Sequence, residues 1–137
     1  MFKTSRNIGD LDPRLQSLFV RFDIAMKEQH IDYIVTCTYR NDADQQALYD
    51  QGRKNPGKIV TNAKPGESMH NKTDSAGKPA ALAFDIAILE NGKIDWNASN
   101  PKWTKAGNIG KLIGLEWAGD WKSFKEYPHF QLPKGIK

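Results

Sequence analysis

The chain has 137 residues, a formal net charge of +4 and a single cysteine. A length in this range fits one domain that buries roughly two thirds of the surface its unfolded form exposes, with no staple needed for folding. One cysteine excludes an intramolecular disulfide, no apolar run approaches the roughly 20 residues of a membrane helix, and the start, MFKTSRNIGDLDPRL, has no signal-peptide core.

These features lead us to expect a soluble cytosolic product with one domain spanning 1–137. The positive charge suits attraction to a polyanion. No zinc finger, basic-region helix or single-strand-binding aromatic motif accompanies it, so nucleic acid is a poor candidate partner.

In chain order, Asp12-Pro13 supplies a capping side chain and a first-turn proline, and Leu15, Leu18, Phe19, Phe22 and Met26 follow at helical spacing. This predicts an amphipathic helix to about His30, whose imidazolium would suit the helix C-terminus. Tyr33-Ile34-Val35-Thr36-Cys37-Thr38 reads as a strand with Cys37 as a small core residue, and Asn41 can cap a second helix running to Gly52.

Residues 53 to 81 contain Gly57, Pro65, Gly66, Gly77 and Pro79 with no sustained period and read as a long loop. From Ala83 to Ile88 the pattern alternates: Phe84, Ile86 and Ile88 can face a core, while Ala83, Asp85 and Ala87 share the other face. Asn91-Gly92 predicts a tight hairpin, and Asn100-Pro101 opens a third helix ending near Gly114. The tail, LEWAGDWKSFKEYPHFQL, has strand-like ends around a turn, which together with the rest gives one α+β domain.

His70 and His129 can act with Asp85 as two imidazoles and a carboxylate, a set able to bind zinc and leave a fourth position open to water. Taken singly, each histidine reads more readily as an ordinary surface residue. Glu126 stands three residues before His129 in EYPHF and is a candidate general base, with Glu116 and Asp120 as competing carboxylates. Asp120, in the turn Ala118-Gly119-Asp120-Trp121, is expected to bond local backbone. Arg40, at the head of the second helix, offers paired donors for a carboxylate or an oxyanion, and Gln45 can add another.

These parts occur in an order that resembles the LAS metallopeptidases of bacterial cell walls, specifically the D-alanyl-D-alanine carboxypeptidase-like branch that includes phage L-alanyl-D-glutamate endolysins. TYRNDADQQALYDQG resembles the arginine-bearing segment, SMH followed by AFD resembles SxHxxGxAxD, and WAGDWKSFKEYPHFQL resembles the tryptophan-rich segment with the third ligand. The resemblance spans about residues 33–132. It implies a hedgehog/D,D-peptidase-like zinc fold with one catalytic Zn2+ on His70, Asp85 and His129. It further implies Glu126 as base, Arg40 on substrate or intermediate, and Gln45 and Ser68 in support.

Where the family motif has seven residues from histidine to aspartate, this chain has fifteen, an eight-residue insertion within 71–82 expected beside the substrate cleft. The implied activity is hydrolysis of a peptidoglycan peptide bond by a monomeric endolysin that reaches the wall with a holin's help. A D-alanyl-D-alanine carboxypeptidase or dipeptidase, and a non-catalytic zinc-dependent wall-binding module, are the alternatives.

Overall fold

The computed structural model describes residues 3–123 and 125–133. The expected α+β arrangement is what these residues form. Helix α1, Pro13–Glu28, starts as predicted, with the Asp12 side chain accepting from the Arg14 amide and Pro13 in the first turn. It ends two residues before His30. His30 itself adopts a left-handed φ of 57°, its amide donating to the Lys27 carbonyl and that of Ile31 to the Met26 carbonyl. The imidazole expected at the helix end therefore belongs to a Schellman turn, which drops Ile31 into the core beside Met26.

Strand β1, Tyr33–Cys37, leads to α2, Asp42–Asp50, whose first turn is capped by Asn41. The long loop that follows contains one turn of 3-10 helix at Met69–Asn71. Strand β2, Ala83–Glu90, turns at Asn91-Gly92 into β3, Lys93–Ile94. Both turn residues have positive φ, 52° and 78°, which is the two-residue hairpin that Asn-Gly favours. Helix α3, Pro101–Leu112, then leads to the short strands β4, Glu116–Trp117, and β5, His129–Gln131.

The antiparallel sheet has the order β1-β2-β5-β4, with β3 extending from β2. Its register sets the two faces. Phe84 pairs with Phe130 and Phe130 with Trp117, whereas on the alternate rungs Asp85 pairs with His129 and Gln131 with both Ala83 and Glu116. On the far side of β2, Cys37 lies opposite Asp85, after a bulge between Val35 and Cys37. A bulge of this kind re-aims side chains at the end of a strand.

The core fills the aromatic face. Phe84 and Phe130 stack at 5.5 Å, and Phe22 from α1 packs on both, at 5.4 and 5.0 Å. Helix α3 approaches the sheet through two glycines, because a Cβ at Gly107 would lie 2.3 Å from the Trp117 ring and one at Gly110 would lie 2.6 Å from Phe130. No helix among the described residues is long and apolar enough to cross a membrane.

The inserted segment lies away from where it was expected. Asp74 accepts from the amides of Ala76 and Lys78, closing a small loop with a bridge between Thr73 and Pro79. That loop borders a depression shared with Asp10, Asp12 and Pro13. Pairing of Leu11 with Ala81 anchors its far end to the N-terminal segment, and none of residues 72–82 lines either part of the cleft described below.

Candidate active site

The polar face of the sheet carries the residues singled out from the sequence. Adjacent strands present Asp85 and His129 on one rung, and the 3-10 turn at Met69–Asn71 brings His70 over them. His70 Nε2 lies 3.1 Å from Asp85 Oδ1, His129 Nδ1 lies 2.9 Å from the same oxygen, and the two nitrogens are 3.2 Å apart. Three donor atoms at tetrahedral corners with zinc bond lengths would stand roughly 3.3–3.5 Å from one another. The chemistry and spacing of this set therefore fit a zinc ion.

The remaining ring nitrogens decide which atoms can be ligands. His70 Nδ1 is 2.7 Å from the Thr38 carbonyl, which can only accept, so Nδ1 carries a proton and Nε2 is the nitrogen that would bind a metal. His129 Nε2 is 2.8 Å from Gln131 Oε1, leaving Nδ1 on the donor side. Cys37 also belongs to a compact set with His70 and Asp85, its ligand atoms within 4.8 Å of theirs. Its sulfur, however, is 3.8 Å from the protonated Nδ1 and so contacts the ring nitrogen that has no free lone pair. His129 therefore completes the convergent set better than Cys37 does. Cys37 is a buried core residue, as the sequence reading expected, and it also borders the site.

Support for His70 comes from its own turn. Ser68 Oγ accepts from the His70 amide at 3.2 Å, and the Asn71 side chain donates to the Arg40 carbonyl at 2.8 Å. The Arg40 amide in turn donates to the His70 carbonyl. Ser68, expected to help bind substrate, thus caps the ligand-bearing turn while also lining the cleft.

Arg40 reaches Asp85 Oδ2 at 3.6 Å and donates to Gln45 Oε1 at 3.1 Å. Gln45 corrects the expectation of a donor toward substrate. It is fully buried, and its amide nitrogen is committed to the Ala63 carbonyl at 2.8 Å, so it braces Arg40 and offers no surface to a ligand.

Electrostatically the cluster favours a cation. Burial alone would lower His70, but the charge and hydrogen bond of Asp85 outweigh it, and the imidazole is pushed up to about 10. Burial would likewise raise Asp85, yet the two histidines hold it well below the usual carboxylate range. Asp85 keeps 19% of its side chain open to the cleft, so a ligand has access.

Glu126 sits in a turn closed by the His129 amide on the Glu126 carbonyl. Its carboxyl is raised above the ordinary glutamate range, first by the surrounding protein and then by Asp85, against the lowering influence of His129, His70 and Arg40. Glu126 is solvent-exposed, lining the open cleft beside His129.

The cleft has two adjoining parts that share Thr61, Ser68, Glu126 and His129. One part, about 550 Å³, runs past Trp121, Glu126 and His129 to Glu67 and Glu116. The other, about 260 Å³, runs between Arg40, Leu48 and Val60. Of the competing carboxylates, Glu116 accepts from Trp121 Nε1 at 2.9 Å and from Gln131 Nε2 at 3.3 Å. Asp120 pairs with Lys111 at 2.9 Å, an exposed ion pair across to α3 in place of the local backbone contact expected. Gln131 was missed from the sequence, although its alternation with Phe130 beside His129 placed it on the polar face.

The fold and site define a known class. Residues 61–132 match the family described as D-alanyl-D-alanine carboxypeptidase, and the chain belongs to this family of M15 peptidases. Among its relatives is the peptidoglycan L-alanyl-D-glutamate endopeptidase CwlK of Bacillus subtilis (strain 168), 37% identical over 132 residues, covering 90% of this chain and 74% of the relative. An L-alanyl-D-glutamate peptidase of Listeria phage A118 is 35% identical over 51 residues, 36% of this chain and 18% of the phage protein. The crystal structure of the Serratia marcescens L-Ala D-Glu endopeptidase ChiX shares the fold, with a TM-score of 0.64 at 21% identity over 93% of this chain and 84% of that one.

Proposed function

We propose that the chain is a zinc-dependent endopeptidase hydrolysing the L-alanyl-D-glutamate bond of bacterial peptidoglycan. In this reading His70, Asp85 and His129 hold the ion and Glu126 is the general base. The observation that carries the reading is the convergence of three donor atoms within 3.2 Å of one another, with both histidines fixed by acceptors on their other nitrogens. The relatives named as L-alanyl-D-glutamate peptidases support the choice of bond.

When bound, zinc supplies Lewis-acid polarisation of a carbonyl and makes water a stronger acid. Glu126, exposed in the cleft and raised in pKa, takes a proton from the attacking water and returns it to the leaving amine. Arg40 donates to the oxyanion that develops on the scissile carbonyl. Its geometry depends on Gln45, which holds one guanidinium nitrogen from behind. A cleft that continues from the donor set past Trp121 to Glu67 and Glu116 suits an internal bond in a longer peptide, whereas a carboxypeptidase would need a group to anchor a free terminal carboxylate.

Purified muropeptides incubated with the zinc-loaded protein should yield fragments with a new N-terminal D-glutamate, read by mass spectrometry. Glu126→Gln should hold zinc and yield none. Loss of terminal D-alanine without that new terminus would overturn the proposal in favour of a D-alanyl-D-alanine carboxypeptidase. Wall binding with no amine released by the wild type would reduce the protein to a binding module.

A further inference from the structure

The two histidines of the donor set are oriented by different means. His70 is held by a backbone carbonyl, that of Thr38. His129 is held by side chains alone, in a relay that crosses two strands: His129 Nε2 to Gln131 Oε1 at 2.8 Å, Gln131 Nε2 to Glu116 Oε2 at 3.3 Å, and Trp121 Nε1 to the same Glu116 oxygen at 2.9 Å. Gln131 is 3% exposed and pairs across β4–β5 with Glu116, so the contact follows from strand register.

The relay has one direction. An indole N–H only donates and an ionised carboxylate only accepts. Trp121 and the carboxylate of Glu116 therefore require the Gln131 amide to present its nitrogen to Glu116 and its oxygen to His129. That oxygen can only accept, so His129 carries a proton on Nε2, and Nδ1, beside Asp85 and His70, is the nitrogen left to bind a metal. The face of Trp121 packs against the same imidazole, ring centroids 5.5 Å apart, and limits its rotation.

We infer that Gln131 and Glu116 are positioning residues that select the metal-binding tautomer of His129. The inference rests on the metal site proposed above and extends it to two side chains outside the donor set. Outer partners of this kind typically change metal affinity by about 10–100-fold when removed.

The test is zinc affinity by chelator competition for the wild type, Gln131→Leu, Glu116→Leu and Glu116→Gln, with circular dichroism and thermal melting of each metal-free form. Gln131→Leu should bind zinc about 10–100-fold more weakly while keeping its metal-free fold. Glu116→Leu should weaken binding by a smaller factor, because the Gln131 amide is then free to turn over. Glu116→Gln should stay close to wild type, since its amide oxygen can still accept from Trp121 and Gln131. A folded Gln131→Leu with wild-type affinity overturns the inference. Should that variant fail to fold, wild-type affinity in Glu116→Leu overturns it instead. A wild type that holds no zinc overturns the metal-site reading and this inference with it.

Discussion

The two faces of one small sheet follow opposite rules. On the first, Phe84, Phe130 and Trp117 meet side chains from α1 and α3, and the one polar atom in their rings, Trp117 Nε1, donates to the Tyr127 carbonyl at 2.9 Å. On the second, one residue along each strand, Asp85, His129, Gln131 and Glu116 are joined by hydrogen bonds with defined donors and acceptors. The same register that builds the core thus builds the site. A slip of one residue would exchange the two sets entirely, burying the carboxylate and imidazole and exposing the phenylalanines. The lesson is that core packing here acts on chemistry through register, without touching the reacting groups.

Neighbouring substitutions on β2 break this comparison most sharply. Asp85→Asn should leave the chain folded yet reduce muropeptide hydrolysis to background, with zinc lost on dialysis against a mild chelator. Phe84→Ala, one position earlier and fully buried, should instead cost about 3–5 kcal/mol in denaturant unfolding. A comparable stability loss from both would show that the faces are not separable.

Next in size is the helix that covers the core face. Gly107→Ala gains up to about 1 kcal/mol of intrinsic helix preference, but its Cβ would lie 2.3 Å from Trp117. Overpacking costs typically about 1–3 kcal/mol, so the net melting shift should be downward. An upward shift would mean that α3 can move off the sheet freely.

The smallest effect lies outside both faces, where Tyr33 Oη donates to Asp23 Oδ1 at 2.6 Å. Tyr33→Phe should cost about 0.5–1.5 kcal/mol at neutral pH. Burial raises the Asp23 carboxyl, but hydrogen bonds from Lys27 and Tyr33 outweigh it and leave the carboxyl lowered. A group lowered in the folded state stabilises above its unfolded pKa and loses that contribution as pH falls through its folded value. The difference between wild type and Tyr33→Phe should therefore shrink below about pH 4, and a pH-independent difference would exclude the carboxylate as the cause.

Much of this arrangement was legible beforehand because its signals are local. Asp12-Pro13, Asn41 and Asn100-Pro101 each cap the helix they predicted, and the alternation through Ala83–Ile88 put Asp85 opposite the core. What escaped depends on pairing between distant segments. The path of residues 73–79 is set by the bridge from Leu11 to Ala81, which no local pattern announces. The role of Gln45 depends on Arg40 and Ala63 closing over it. The relay through Gln131 requires the register of two strands too short to show any period of their own.

The rung between Asp85 and His129 joins residues 44 positions apart. In the unfolded chain these groups are strangers, so the proposed ion has almost nothing to bind until β2 and β5 have met. Metal supply then acts as a thermodynamic load on the folded state: at a free concentration a hundred times the dissociation constant it would add about 2.7 kcal/mol. With the proposed ion in place, the protein would be firmest where zinc is plentiful and would loosen as the metal is withdrawn, so that its survival and its activity would respond to the same ion.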